Sequence, residues 1–163
     1  MTFLLFLILR LEDEMPFNSD ETFELWSKVG EQFLTESKDK WVKQQVDFPA
    51  EAPRHYPEVA RPRPGLGCRM IVQRIFHHLR EAIERDLRDW RAETRVKTAQ
   101  LLSVLVLHLE HEAIGHADQI LARLQMGALD AEEDVVVYVR YIHLISQNEI
   151  DLAFPKLSIE VLR

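Results

Sequence analysis

Phe23, Trp26, Val29 and Phe33 follow one another in steps of three and four residues, which sets them on one face of a helix. Asn18, with Glu21 three residues later, resembles the capping arrangement that opens such a helix. The same spacing returns from about Met70 to Leu87, where Ile71, Ile75, Phe76, Leu79 and Ile83 form an apolar stripe behind a charged face. After a turn around Asp89 and Trp90, the segment from Arg95 to Leu109 ends in LLSVLVLHL, apolar almost all round, which predicts a helix covered on several sides. Ile114, Ala117, Leu121 and Leu124 share a further face that stops near Gly127. VVVYVRYIHLI has the β-branched and aromatic content of a strand. The run from Glu132 to Ser146 is nevertheless too long for a typical strand, lacks turn signals and follows Asp130, a residue suited to an N-cap, so it predicts a helix. Phe154, Leu157 and Val161 keep helical spacing, with Pro155 tolerated in a first turn.

The pattern breaks in one place. Pro49, Pro53, Pro57, Pro62 and Pro64, then Gly65 and Gly67, mark residues 47–67 as a long Pro-rich inter-repeat loop. Its proline spacing favours extended backbone, either packed along the scaffold or offered to an aromatic-lined groove. The opening run from Phe3 to Leu9 has no basic residue before it and no small-residue cleavage site after it, and it is too short to span a bilayer. It reads as part of a core helix that needs a covering neighbour.

The turns themselves repeat. DWRAETRVKTAQLL begins at Asp89 and DAEEDVVVYVRYI at Asp130, 41 residues apart, and each Asp-led turn precedes a helix that opens with valine, Val96 in one and Val135 with Val136 in the other. LEDEMP around Asp13 is a candidate third copy, displaced by the Pro-rich loop. A period near 40 is that of HEAT and armadillo repeats, in which antiparallel helix pairs stack and bury their apolar faces against neighbours. The predicted fold is an all-α solenoid of HEAT/armadillo-like pairs, about three repeats with a long Pro-rich insertion, with residues 1–163 forming a single array segment.

Charge changes this picture in one region. The net charge of −7 argues against general nucleic-acid binding, which needs a basic face. Residues 1–60 carry 6 basic and 12 acidic side chains, residues 61–97 carry 10 and 5, and residues 98–163 carry 4 and 10, so a basic band lies between acidic flanks. That band either meets an acidic partner surface or pairs internally. Glu81 with Arg85 and Glu84 with Arg88 have the i, i+4 spacing of helix pairs that contribute about 0.2 to 0.5 kcal/mol each. Trp90, at an inter-helix turn, is either an exposed anchor for a partner or packed against the next repeat. The candidate protein-binding residues are Arg61, Arg63, Trp90, Arg91, Arg95 and Lys97.

Candidate chemistry is sparse. HLEHEAIGH offers His108, His111 and His116, but the zincin motif needs a four-residue step between imidazoles. His111 and His116 are five apart, about 500° around a helix rather than 400°, so the two rings diverge. His77 and His78 are adjacent and point apart on a helix. Cys68 and Ser103 sit in no nucleophile elbow, and five glycines supply no phosphate-binding loop. A single cysteine excludes an internal disulfide framework and fits a reducing compartment. The residues therefore predict no catalytic, metal or cofactor site, no small-molecule substrate and no membrane insertion.

DFPAEAPRHYPEVARPRPGLGCR, then DW, then TRVKTAQLLSVLVLHLEHEAIGH closely resemble the dynein axonemal assembly factor 5 family of HEAT-repeat proteins. The resemblance runs from about Asp13 to Arg163, is best between Asp47 and Gly127, and weakens in the valine-rich helix and the first ten residues. It implies a non-enzymatic cytoplasmic scaffold for preassembly of axonemal dynein arms, binding dynein chains and co-chaperones. It also implies a longer array, of which this chain is a fragment. A generic HEAT adaptor, of the transport-receptor or phosphatase-scaffold kind, is the alternative.

Overall fold

A computed structural model describes residues 7–11, 16–45, 63–116, 120 and 127–153. Every element among them is helical: α1 (Pro16–Glu36), α2 (Lys40–Gln44), α3 (Leu66–Asp86), α4 (Ala92–Leu109), a 3-10 segment (Glu110–His116) and α5 (Glu133–Ala153). The chain divides into two compact units, Met1–His77 and His78–Arg163.

In the first unit a helical turn at residues 7–10 buries Leu7 and Ile8, and Leu11 is buried directly after it. α1 opens at Pro16, so Asn18 lies inside the helix rather than at its cap, and its carbonyl accepts a hydrogen bond from the Thr22 hydroxyl (2.6 Å). Proline suits a first helical turn because its missing N–H would have no partner there. Trp26 is the buried centre of α1, while Phe23, Val29 and Phe33 are half-buried. α1 meets the start of α3 through two glycines. A Cβ on Gly67 would run into the backbone carbonyl of Gly30, and one on Gly30 would lie 2.6 Å from Cys68 Sγ and 2.8 Å from Cys68 N. No side chain fits at either position, which lets the two backbones touch. The Cys68 thiol donates to the Trp26 carbonyl (3.2 Å) and locks the crossing. α3 thus starts four residues before the Met70 expected from periodicity, because Leu66 to Arg69 serve this contact.

In the second unit the last turns of α3 lead through residues 87–91 into α4, whose residues from Leu102 to Leu109 are all buried. The buried polar groups in this stretch are satisfied locally: the Ser103 hydroxyl donates to the Gln100 carbonyl (2.7 Å), and His108 Nδ1–H to the Val104 carbonyl (2.8 Å). α4 ends at Glu110, a buried residue with φ of 49° and ψ of −128°. There the chain turns into the 3-10 segment, which separates α4 from the residues that follow. The valine-rich run is helical, as predicted, and α5 packs on α4 through Val135, Val139 and Ile142 at spacing i, i+4, i+7. Gly127 allows this fit, since a Cβ there would lie 2.6 Å from Val139 Cγ2.

Some expectations lie outside the described residues: the EDEM of the candidate third turn, residues 46–62 of the Pro-rich loop, Ala117, Leu121 and Leu124 of the stretch that stops near Gly127, and the helix through Phe154, Leu157 and Val161. Of residues 63–67, the first three are non-helical and the last two open α3.

Candidate functional site

The two Asp-led turns, 41 residues apart, share one geometry. Asp89 Oδ1 accepts from the Arg91 backbone N–H (2.9 Å), and Asp130 Oδ1 accepts from the Glu132 backbone N–H (2.9 Å). This short reach from carboxylate to the backbone two residues on is what favours Asp at turns and helix starts. Arg95 then joins the turns. Its Nε and Nη2 donate to Asp130 Oδ2 (2.7 Å) and Oδ1 (2.9 Å), while Nη1 donates to the carbonyls of Asp89 (3.0 Å) and Trp90 (3.2 Å). α4 and α5 therefore start at the same edge of their unit. The planar guanidinium fork suits this double contact and a lysine would not replace it. The Arg95 guanidinium, with a backbone N–H from Glu132, holds the Asp130 carboxyl below the usual carboxylate range against the opposing effect of partial burial. The position 41 residues after Arg95 is Val136, so the second turn has no guanidinium of its own there.

Each braced turn presents a large apolar side chain to solvent, Trp90 at 87% exposure and Leu129 at 89%. Arg91 leans back from Trp90, with its guanidinium 6.0 Å from the ring centroid and its Nε and Nη2 each 3.1 Å from Asp89 carboxylate oxygens. That contact depresses the Asp89 carboxyl. Beside Trp90 is an open cleft of about 710 Å³ lined by Glu81, Glu84, Arg85, Arg88 and Asp89.

Of the candidate protein-binding residues, the structure gathers Trp90, Arg91, Arg95 and Lys97 at one turn and the start of α4. Trp90 is exposed, as an anchor would be, whereas Arg95 is a brace with its guanidinium committed internally. Lys97 is exposed and paired with Glu93 (2.6 Å). Arg63 is half-buried and belongs to the first unit, and Arg61 lies outside the described residues. Most of the remaining basic band is engaged within the chain: Arg69 is buried and donates to the Pro64 carbonyl (3.1 Å), Arg74 pairs with Asp39 (2.5 Å), Arg85 with Asp86 (2.8 Å) and Arg88 with Glu84 (3.1 Å). The observed partner of Arg85 is its neighbour Asp86, not the Glu81 suggested by helical spacing.

The candidate nucleophiles are packing groups. Cys68 is buried, and that burial pushes its thiol up to about 11, leaving almost no thiolate near neutrality. Ser103 is buried with its hydroxyl bonded to backbone. Among the described residues no three His, Cys, Asp or Glu side chains converge as a metal site, and no helix is long and apolar enough to cross a membrane.

The family model described as the HEAT-repeat domain of dynein axonemal assembly factor 5 matches residues 54–146, more than half of the chain. The chain belongs to the dynein axonemal assembly factor 5 family. It is 38% identical over 125 residues to dynein axonemal assembly factor 5 of Xenopus laevis, covering 77% of this chain and 15% of the relative. It is 38% identical over 158 residues to that of Mus musculus (96% and 18%) and 40% identical over 130 residues to that of Homo sapiens (80% and 15%). The chain thus spans less than a fifth of the length of these curated relatives. No solved structure matches it. With the family in place, the paired helices and their repeated Asp-led turns are those of a HEAT-repeat α-solenoid, the all-α class that the period predicts.

Two features escaped the sequence reading. Leu129 gives no signal of its own, because a leucine near a glycine reads as the end of a helical stripe. The run KDKWVK, residues 38–43, does carry a signal, three lysines around a tryptophan, but it sits in a half of the chain where acids outnumber bases.

Proposed function

We propose that the chain is a segment of a non-catalytic cytoplasmic scaffold for preassembly of axonemal dynein arms, and that the turn from Leu87 to Arg91 contacts its protein partners. The partners of this reading are dynein chains and the co-chaperones that act on them. The observation that carries it is Trp90, 87% exposed on a turn whose backbone Arg95 holds from the other side. A tryptophan held on a braced turn loses little conformational freedom on binding, and tryptophan is enriched among residues that dominate interface energies. Arg91 and Lys97 flank it, each exposed and paired with an acid of this chain, and can exchange that acid for one of a partner, while Arg95 positions the turn.

The test is affinity capture from the cytoplasm of ciliated cells, using the full-length relative-sized protein and its Trp90→Ala variant as baits, with captured proteins identified by mass spectrometry. Recovery of axonemal dynein chains by the intact bait, with most of that recovery lost in the variant and its melting temperature unchanged, is the expected result. Capture of a transport or phosphatase set in place of dynein transfers the chain to the generic adaptor reading. Equal dynein capture by both baits removes the turn, though not the scaffold role, from the proposal.

A further inference from the structure

The first unit carries a cationic surface that the basic band does not include. Lys38, Lys40 and Lys43 are exposed, and among the described residues their ammonium groups have no hydrogen-bond or ion-pair partner. Sequence spacing offers two acids to neutralise them, Glu36 four residues before Lys40 and Asp39 four before Lys43. The structure commits both elsewhere. α1 stops at Glu36, whose carboxylate accepts from Gln32 Nε2 (2.8 Å), so Lys40 is not on the same helix. Asp39 Oδ1 caps α2 by accepting from the Trp41 backbone N–H (2.9 Å), and Oδ2 pairs with Arg74 (2.5 Å). Arg74 also lies 5.5 Å from the centroid of the Phe33 ring. Val42 is buried and pins α2 to the unit, which leaves Lys40, Trp41 and Lys43 fanned around its outer side, about 100° apart per residue. Trp41 is 45% exposed among them.

We infer that Lys38, Lys40, Trp41 and Lys43 form a docking surface for an acidic protein segment that carries an apolar side chain. Three uncompensated ammonium groups around a half-exposed indole match alternating carboxylates with one aliphatic or aromatic residue for the tryptophan face. The charge around this surface selects a protein rather than a polyanion. α1 presents Asp20, Glu21, Glu24, Glu31 and Glu36 to solvent, and the whole chain carries −7, which repels an extended phosphate backbone or an anionic bilayer. Lysine, a point charge without the bidentate fork of arginine, suits scattered carboxylates. This surface is independent of the Trp90 turn and of the dynein reading.

The test uses the 163-residue chain and a fluorescein-labelled 13-residue glycine–serine peptide with two glutamates on each side of a central leucine, followed by fluorescence anisotropy. Binding is expected to weaken as salt rises, to fall about tenfold or more in Lys38→Gln/Lys40→Gln/Lys43→Gln, and to hold within about twofold in Lys28→Gln/Arg80→Gln/Arg140→Gln, which removes the same number of exposed cations. Trp41→Ala is expected to weaken the leucine peptide by about threefold and leave a peptide with glycine in its place unchanged. A second measurement needs no variant: bound peptide is expected to protect Lys38, Lys40 and Lys43 of the intact chain from acetylation, read by mass spectrometry. Equal losses in both triple variants, equal acetylation with and without peptide, or no binding overturns the proposal. So does tighter binding of phosphatidylserine vesicles or single-stranded DNA by the same lysines.

Discussion

The two units hold their helices together by opposite means. In the first, Gly30 and Gly67 bring two backbones into contact with nothing between them, and the Cys68 thiol closes the crossing onto the Trp26 carbonyl. In the second, four hydrogen bonds from the Arg95 guanidinium span two turns 41 residues apart in sequence. A backbone contact has no ionisable part and admits no added atom. A guanidinium brace tolerates nearby packing changes but depends on charge, and so on pH. The difference shows that a repeat protein can be specified by an absence of side chain in one place and by one particular side chain in another.

The largest expected effect comes from adding a single methyl group. Gly67→Ala forces Cβ against a carbonyl that cannot move without its helix, so a loss of about 3 kcal/mol or more is expected in a denaturant titration. Gly127→Ala meets the Val139 methyl rather than backbone, and a smaller loss of about 1 to 2 kcal/mol is expected. Equal losses at the two positions would erase the distinction between a backbone contact and side-chain packing.

Next in size is the brace. Asp130→Asn keeps the shape and removes the charge, and is expected to lower the melting temperature by roughly 5 °C at neutral pH. Because the folded Asp130 carboxyl lies below its unfolded value of about 4, its contribution is complete above roughly pH 5 and is lost as pH falls through the folded value. The intact chain and Asp130→Asn are therefore expected to converge in melting temperature on acidification from pH 5 toward pH 3. A gap that stays constant over that range would show that the carboxylate charge does not carry the difference between the two chains.

A finer comparison concerns the end of α4. Glu110 holds a positive φ that glycine adopts without steric penalty. Glu110→Ala and Glu110→Gly both remove the carboxylate, so their difference isolates the backbone, and the glycine variant is expected to be more stable by about 1 kcal/mol. The smallest effect on stability is expected at Trp90→Ala, within about 2 °C of the parent in a thermal melt, because the ring is 87% exposed. A large drop there would return Trp90 to the packed reading and remove it as an anchor.

Much of the fold was legible because helical amphipathicity is a local property. The stripes of α1 and α3 follow from steps of three and four residues, α4 from a run that is apolar almost all round, and the valine-rich α5 from length and its leading Asp130 against β-propensity. The repeat was legible for a similar reason: each Asp bonds its own backbone two residues on, so the turn signal is written in adjacent positions. The candidate site was only half legible. A tryptophan in an inter-helix turn could be seen, but its exposure could not, since that depends on what neighbouring elements cover. The basic band was visible as composition, yet Arg95 as a brace and Arg69 as a buried donor depend on carbonyls and carboxylates brought to them by folding.

By itself the sequence determined the all-helical class, the period and the family, because these rest on spacing and residue identity along the chain. Only the tertiary structure decided which charges remained free. Glu36 and Asp39 stand at the spacing that would neutralise Lys40 and Lys43, and a reading by sequence pairs them. Ending α1 at Glu36 and bringing Arg74 of α3 to Asp39 cancels those pairings, and the lysines are left to solvent. An ion pair forms with whichever partner is nearest in space, and between residues 35 apart in sequence that nearness is decided by the fold.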